Sequence, residues 1–246
     1  MARVCARTAT RALAALIAAA SLSGAAQAKP PRAVIELFTS QGCSSCPPAD
    51  ALLAKLARED DLIALSLPVD YWDRLGWKDT FAKHAFTERQ AAYSNVRGDR
   101  QVYTPQAVVN GKEHVVGSQR AAINAAIGQT ASSLSVPLNL TRSQVSLEIS
   151  VGAGADALPE RAMLVLMPYL ARRDVAIGRG ENARRTLTYT NIVRDIVPIA
   201  DWTGKPIART IPLNEYKNYD GLVVLLQAGS PGNPGAILGA GRLALR

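Results

Sequence analysis

Apolar residues fall along this chain in two rhythms. From residue 33 to residue 129, short continuous apolar runs alternate with stretches of helical spacing; from residue 136 onward the pattern is almost entirely strand-like. Ala33 to Phe38 is an apolar run bounded by Thr39, Ser40 and Gly42, and reads as a short buried strand. Asp50 to Ala57 has Leu52, Leu53 and Leu56 on one face, a helix led in by Pro47 and Pro48. Proline is tolerated in a first turn because no N–H is needed there. Leu62 to Val69 reads as a second strand. Phe81 to Asn95 reads as a helix with Phe81, Ala85, Phe86 and Ala92 inward, and Gln119 to Gln129 as another with Ala122, Ile123, Ala126 and Ile127 inward. Asn110-Gly111 is a strong hairpin signal between strands Gln106–Val109 and Glu113–Val116. The alternation predicts a parallel strand pair with a right-handed crossover and an antiparallel edge.

Beyond the polar connector Ala131 to Ser135, the segments Val136–Leu140, Val145–Val151, Ala162–Leu170, Thr186–Val197, Ile207–Ile211, Leu222–Ala228 and Ala236–Leu245 read as strands. Turn signals such as Thr203-Gly204-Lys205 and Ser230 to Gly235 separate them, and no long helix is expected after Gln129. Many short strands at regular spacing predict an antiparallel, sandwich-like β region. The expected division is an α/β domain over 29–131 and a β-rich domain over 132–246.

The first 28 residues change the picture of where the chain works. Arg3, Arg7 and Arg11 form a basic stretch, Ala12 to Ala20 an apolar one too short to span a bilayer, and Ala26-Gln27-Ala28 a small-x-small cleavage pattern. This reads as a secretory signal peptide over residues 1–28, cleaved after Ala28, which implies a periplasmic or secreted protein. No later stretch approaches the ~20 apolar residues that a spanning helix needs, so no stable membrane insertion is expected after cleavage. Cleavage leaves 218 of the 246 residues, and 25 basic against 20 acidic side chains, a net charge of +5. The basic residues are scattered rather than clustered with aromatics, which argues against a nucleic-acid partner.

Cleavage also removes Cys5, so the mature chain keeps two cysteines, Cys43 and Cys46. In an oxidising compartment two cysteines usually form one disulfide. A disulfide across two residues closes almost no loop and adds little as a staple, which favours redox chemistry or metal binding. The pair sits where a strand ends and a helix begins. A helix N-terminus presents unpaired N–H groups and a partial positive charge, which stabilise a thiolate and lower its pKa. In thiol–disulfide exchange, Cys43 at the exposed helix tip is expected to attack and Cys46, one turn inside, to resolve. The partners would be thiols and disulfides of proteins or small molecules, with no resident cofactor. The rival chemistry is Cu(I) binding by the two thiolates, since soft thiolates select that ion; His84 and His114 have no motif spacing to them, so a structural zinc site is not expected. A third reading is a non-catalytic binding module with a vestigial disulfide. No G-x-S-x-G elbow and no phosphate-cradling glycine loop is present.

Two loops are the other places to look. Asp70, Tyr71, Trp72 and Asp73, followed by Gly76, Trp77 and Lys78, hold two of the three tryptophans. A loop mixing aromatics and carboxylates often binds substrate; the plainer alternative is that Trp72 and Trp77 pack over an edge while Asp70 and Asp73 cap a turn. Arg179 to Arg185, with Glu181, Asn182 and Arg184, forms a polar wall near the cysteines, or binds an anionic partner, or is a solvated hairpin tip.

The element order, with Cys43-Ser44-Ser45-Cys46 between the first strand and helix, resembles the thioredoxin fold. The resemblance implies that Thr104-Pro105 is a cis peptide beside the sulfurs, with Thr104 backbone groups open to a substrate strand. It also implies that Glu36, as a buried carboxylate, shuttles a proton to Cys46; the plainer alternative is a strand-end or edge glutamate in water. More narrowly, the segments Glu36–Asp50, Val69–Asp79, Val102–Gly111 and Gly180–Arg194 resemble a secreted bacterial family of unknown function with a thioredoxin-like domain. In that family a histidine often precedes the Val-Asp-Tyr-Trp segment; here the position is Pro68.

Overall fold

The structure, a computed structural model, describes residues 30–154, 159 and 161–246. The signal peptide read over residues 1–28 lies outside the described residues.

Strand Ala33–Thr39 (β1) and strand Leu62–Pro68 (β2) are buried along their whole length. They pair in parallel from Ala33 with Leu62 to Thr39 with Pro68. Helix Pro47–Leu56 (α1) forms the crossover between them, as parallel pairing requires. Helix His84–Arg97 (α2) follows and stops at Gly98, whose φ of 75° lets its N–H reach the Ser94 and Asn95 carbonyls. It begins three residues later than the periodicity predicts. Asp79 accepts the N–H of Phe81 and holds residues 79–81 in a turn, and Lys83 is extended. The buried face of α2 consequently runs through Phe86, Arg89, Gln90 and Tyr93, with Ala85 exposed.

Strand Gln106–Val109 (β3) pairs antiparallel with the free edge of β1 and with strand Glu113–Val116 (β4). The turn between them has φ of 50° at Asn110 and 69° at Gly111, the left-handed pair that Asn-Gly tolerates. This turn is a buried joint. Asn110 Oδ1 accepts the Val34 N–H, its Nδ2 donates to Thr130, and its carbonyl accepts the Ile237 N–H. Helix Arg120–Gln129 (α3) completes the first half.

The second half consists of strands Leu138–Arg142 (β5), Ser146–Val151 (β6), Ala162–Ala176 (β7), Thr186–Val193 (β8), Val197–Trp202 (β9), Ile207–Pro212 (β10), Gly221–Ser230 (β11) and Asn233–Ala244 (β12). Among the described residues it has no α-helix, only a single 3-10 turn over 213–216. The segment Thr186–Val197, read as one strand, is two. Arg194 donates its N–H to Pro168 and Asp195 bonds the next N–H, so β8 and β9 run in succession along one edge of the 15-residue β7.

Strands of both halves share one mixed sheet, ordered β12-β11-β7-β8-β2-β1-β3-β4, with β9 beside β7. Its seam is a parallel contact between β2 and β8 at Ser66 and Ile192. A second, antiparallel sheet, β10-β6-β5, packs Leu147, Ile149 and Val151 onto Leu164, Leu166 and Val224 of the large sheet. The alternate residues Met163, Val165, Val223 and Leu225 share a core with Phe86 and Tyr93 of α2 and with Val34 and Phe38 of β1. On the other side of β1, Ile35 and Leu37 pack with α1 and α3. The architecture is a mixed α/β fold with a central mixed sheet, a second antiparallel sheet and few helices. Among the described residues no helix is long and apolar enough to cross a membrane.

Candidate functional site

Cys43 and Cys46 form a disulfide at the C-terminal end of β1. Cys46 is the residue at which α1 starts: its carbonyl accepts the N–H groups of Ala49 and Asp50, and Pro47 and Pro48 fill the first turn without needing acceptors. The Thr104-Pro105 peptide is cis. Ser45 links it to the disulfide, its Oγ lying 3.5 Å from Cys43 Sγ and donating at 3.5 Å to the Thr104 carbonyl.

Two loops close over this end of the sheet. Trp72 donates its Nε1–H to Thr104 Oγ1 at 2.8 Å, and a side chain at Gly42 would come within 3.2 Å of the Trp72 Cβ, so glycine makes room for the tryptophan there. Trp77 donates to Gln41 Oε1, and Asp79 accepts the Gln41 N–H at 2.8 Å. From the second half, buried Asn182 donates to the carbonyls of Gln41 and Cys43, at 3.0 and 2.9 Å, and Glu181 accepts the Ser44 N–H. Arg185 holds Asn182 in place through its Oδ1. The hairpin 177–185 therefore lies on the Cys-x-x-Cys turn, while its glycines Gly178 and Gly180 lie against Trp77.

Because of this cover, Cys43 and Cys46 both have 0% accessible surface, while Ser44 and Ser45 between them are exposed. The expectation of an exposed Cys43 at the helix tip is thus corrected. Its place ahead of the helix holds, but the residue is buried at the turn on which the 177–185 hairpin lies.

Beneath the turn lie three buried ionisable groups. Asp50, one helical turn beyond Cys46, accepts a hydrogen bond from Thr39 through Oδ1, and its Oδ2 has no partner among the described residues. Burial pushes its carboxyl up to about 8, against the lowering effect of Thr39, with the charge of Asp79 adding to the rise. Burial likewise pushes Asp79 up to about 6. The Tyr189 hydroxyl is buried without a partner among the described residues, and burial plus the charges of Asp50 and Asp79 raise its pKa.

Of the residues singled out in the sequence, the fold brings together Cys43, Cys46, Thr104, Pro105, Trp72, Glu181 and Asn182. Glu36 and Asp70 lie apart, while Asp73 and Arg184 sit on the two loops without bonding the Cys-x-x-Cys turn. Glu36 is on the β1 face that carries Val34 and Phe38, away from α1, where it forms a fully buried pair with Arg89 at 2.7 Å and also bonds Tyr93. Asp70 accepts from Thr87 and pairs with His84 beside the start of α2, and despite the burial that opposes it, these bonds hold its carboxyl below the usual range. Asp73 accepts the Asp79 N–H and so shapes the 73–79 loop. Arg184 is exposed, with φ of 66°. Once reduced, the two sulfurs would be the soft metal donors of the site. Neither histidine joins them, since His84 meets Asp70 and His114 meets Asp99 and Tyr103.

Gln41, Asp50, Asp79 and Tyr189 were not singled out in the sequence. Asp50 did carry a signal: it lies on the same helical stripe as Leu53 and Ala57, and a carboxylate on a buried stripe needs a reason.

Comparison with known proteins adds the following. A family described as "Protein of unknown function (DUF1223)" matches residues 34–227. The crystal structure of protein AGR_C_4864 from Agrobacterium tumefaciens is similar with a TM-score of 0.79 and 35% sequence identity, over 89% of this chain and 96% of that one. HBP35 of Porphyromonas gingivalis is similar in fold, with a TM-score of 0.53 at 17% identity, over 88% of this chain and 76% of that one. A search of curated proteins finds no match.

Proposed function

The chain belongs to the DUF1223 family of proteins of unknown function, and from that premise we propose that it is an exported, thioredoxin-like thiol–disulfide exchange protein working through Cys43 and Cys46. The observation that carries this reading is the position of the disulfide, at the start of α1 and beside a cis-proline, with a buried carboxyl, Asp50, one helical turn beyond Cys46 whose Oδ2 has no partner among the described residues. The order β1, Cys-x-x-Cys, α1, β2, α2, cis-Pro105, β3, β4, α3 supports the thioredoxin-like assignment of this half.

The chemistry follows from the groups present. A partner thiolate attacks Sγ of Cys43; a mixed disulfide forms, and the electron pair of the broken S–S bond leaves on Cys46. Asp50, held near 8, carries a proton at neutral pH and supplies it to the Cys46 thiolate. A second partner thiolate then attacks the partner's sulfur in the mixed disulfide and releases Cys43 as a thiolate. The partner dithiol has lost two electrons, and the protein's cysteine pair has gained them. Run backwards, the same steps reduce a partner disulfide, with the Asp50 carboxylate taking the Cys46 proton. The role first assigned to Glu36 thus passes to Asp50. Since neither cysteine is accessible at rest, each cycle begins with the site opening.

The test is a redox equilibration of the pair against glutathione buffers, with Cys43→Ser as control. A reversible two-electron transition, with turnover of a model disulfide that Cys43→Ser abolishes, is expected. A pair that stays oxidised under strong reductant, or that reduces without reacting with any disulfide, sinks the reading. Stoichiometric Cu(I) bound by such an inert reduced pair would favour metal handling instead.

A further inference from the structure

Around the disulfide, charges are sorted by direction. The two enclosing loops, 72–80 and 177–185, carry five cationic side chains and three carboxylates. All three carboxylates turn onto backbone N–H groups. Asp73 accepts from Asp79, Asp79 accepts from Gln41 and Phe81, and Glu181 accepts from Ser44. Of the cations, Arg185 is tied to Asn182. Arg74, Lys78, Arg179 and Arg184 are exposed, and their side chains enter no hydrogen bond or ion pair among the described residues. Asp70, the next carboxylate along the chain, is engaged by Thr87 and His84.

Each loop contributes two of the free cations, and the loops touch where Trp77 meets Gly178 and Gly180. With five cations against three carboxylates the two loops carry a net charge of +2, their free cations lying on both loops and their carboxylates held against backbone N–H groups. Free surface cations of one sign raise the local concentration and the association rate of a partner of opposite sign. A small anion would meet one loop; an extended chain carrying several carboxylates meets both. We infer that the partner of the Cys43–Cys46 site is a polypeptide segment whose cysteines are flanked by Asp and Glu. This rests on the exchange reading above and names the class of substrate for it.

The test uses the reduced full chain and three peptides with the same disulfide core, flanked by acidic, neutral or basic residues. At low salt the acidic peptide is expected to react on the order of tenfold faster than the neutral one, and the basic one slowest. The preference is expected to collapse in about 1 M salt, where the screening length falls to roughly 3 Å, and to invert in R179E/R184E. The end point of equilibration with dithiothreitol, whose reduced and oxidised forms are both uncharged at neutral pH, is expected to be unchanged in that variant. In parallel, a cysteine-free acidic peptide is titrated into the oxidised protein. Equal rates for the three peptides, or a preference that neither salt nor R179E/R184E alters, overturns the inference, while normal equilibration with dithiothreitol leaves the exchange reading standing. If no disulfide reacts, the exchange reading falls and the titration decides: binding lost in R179E/R184E supports the cationic rim, and absence of binding overturns it.

Discussion

Asp50 concentrates the consequences of burial in one carboxyl group. Unfolded, it ionises near 3.8; folded, near 8. Between those values the folded chain holds a proton that the unfolded chain has released. The stability tied to this group is fully present below about pH 4 and is lost as pH rises toward 8, by up to about 1.4 kcal/mol per pH unit. Asp79 acts in the same direction up to about 6. Urea midpoints measured from pH 5 to 8 are therefore expected to fall with pH, and Asp50→Asn to flatten the fall, leaving the part below about pH 6 that Asp79 contributes. The same variant is expected to slow thiol exchange about tenfold or more and to remove a pH dependence near 8 from its rate; a rate profile identical to that of the parent protein would refute the proton role. Glu36 is the instructive failure of the sequence reading. Strand alternation sets it with Val34 and Phe38, but which of the two β1 faces lies toward α1 depends on packing that no local pattern records.

Among the elements, the 177–185 hairpin acts as a clasp on the Cys-x-x-Cys turn. Asn182 donates to two carbonyls, that of Gln41 and that of Cys43, which also accepts the Cys46 N–H. Asn182→Ala is expected to cost about 1–3 kcal/mol, the usual consequence of leaving buried polar groups unpaired, and to speed reduction of the disulfide by dithiothreitol because the cover loosens. Thermal melts read the first effect and stopped-flow reduction the second; an unchanged reduction rate would mean that the clasp does not limit access. Local signals made many elements legible. The Asn110-Gly111 turn, the β1–α1–β2 alternation and the strand-rich character of the described second half were all written in spacing and turn chemistry. The division of Thr186–Val197 into β8 and β9 was not, because it depends on the long partner strand β7 and on Arg194 reaching Pro168. Nor did any motif announce that Asn182 would meet Cys43, since the two are joined only by the pairing of distant strands.

In the whole molecule, the buried Glu36–Arg89 pair joins three elements of both halves, since Arg89 on α2 also donates to Gln227 on β11 at 2.9 Å. Arg89→Ala strands the Glu36 carboxylate in the core and is expected to destabilise the chain by about 3–5 kcal/mol, measured by urea denaturation; a loss below about 1 kcal/mol would show that the pair does not hold the halves together. The seam of the large sheet has a consequence for the order in which the protein is made. β2 emerges early in synthesis, yet its outer neighbour β8 is encoded far downstream, after β3 to β7. Until β8 arrives, an apolar strand presents bare N–H and C=O groups to its surroundings, which is a template for another chain. The nascent chain thus passes through a long interval of exposed edge that the finished fold conceals, and its yield in a cell depends on how well that interval is guarded.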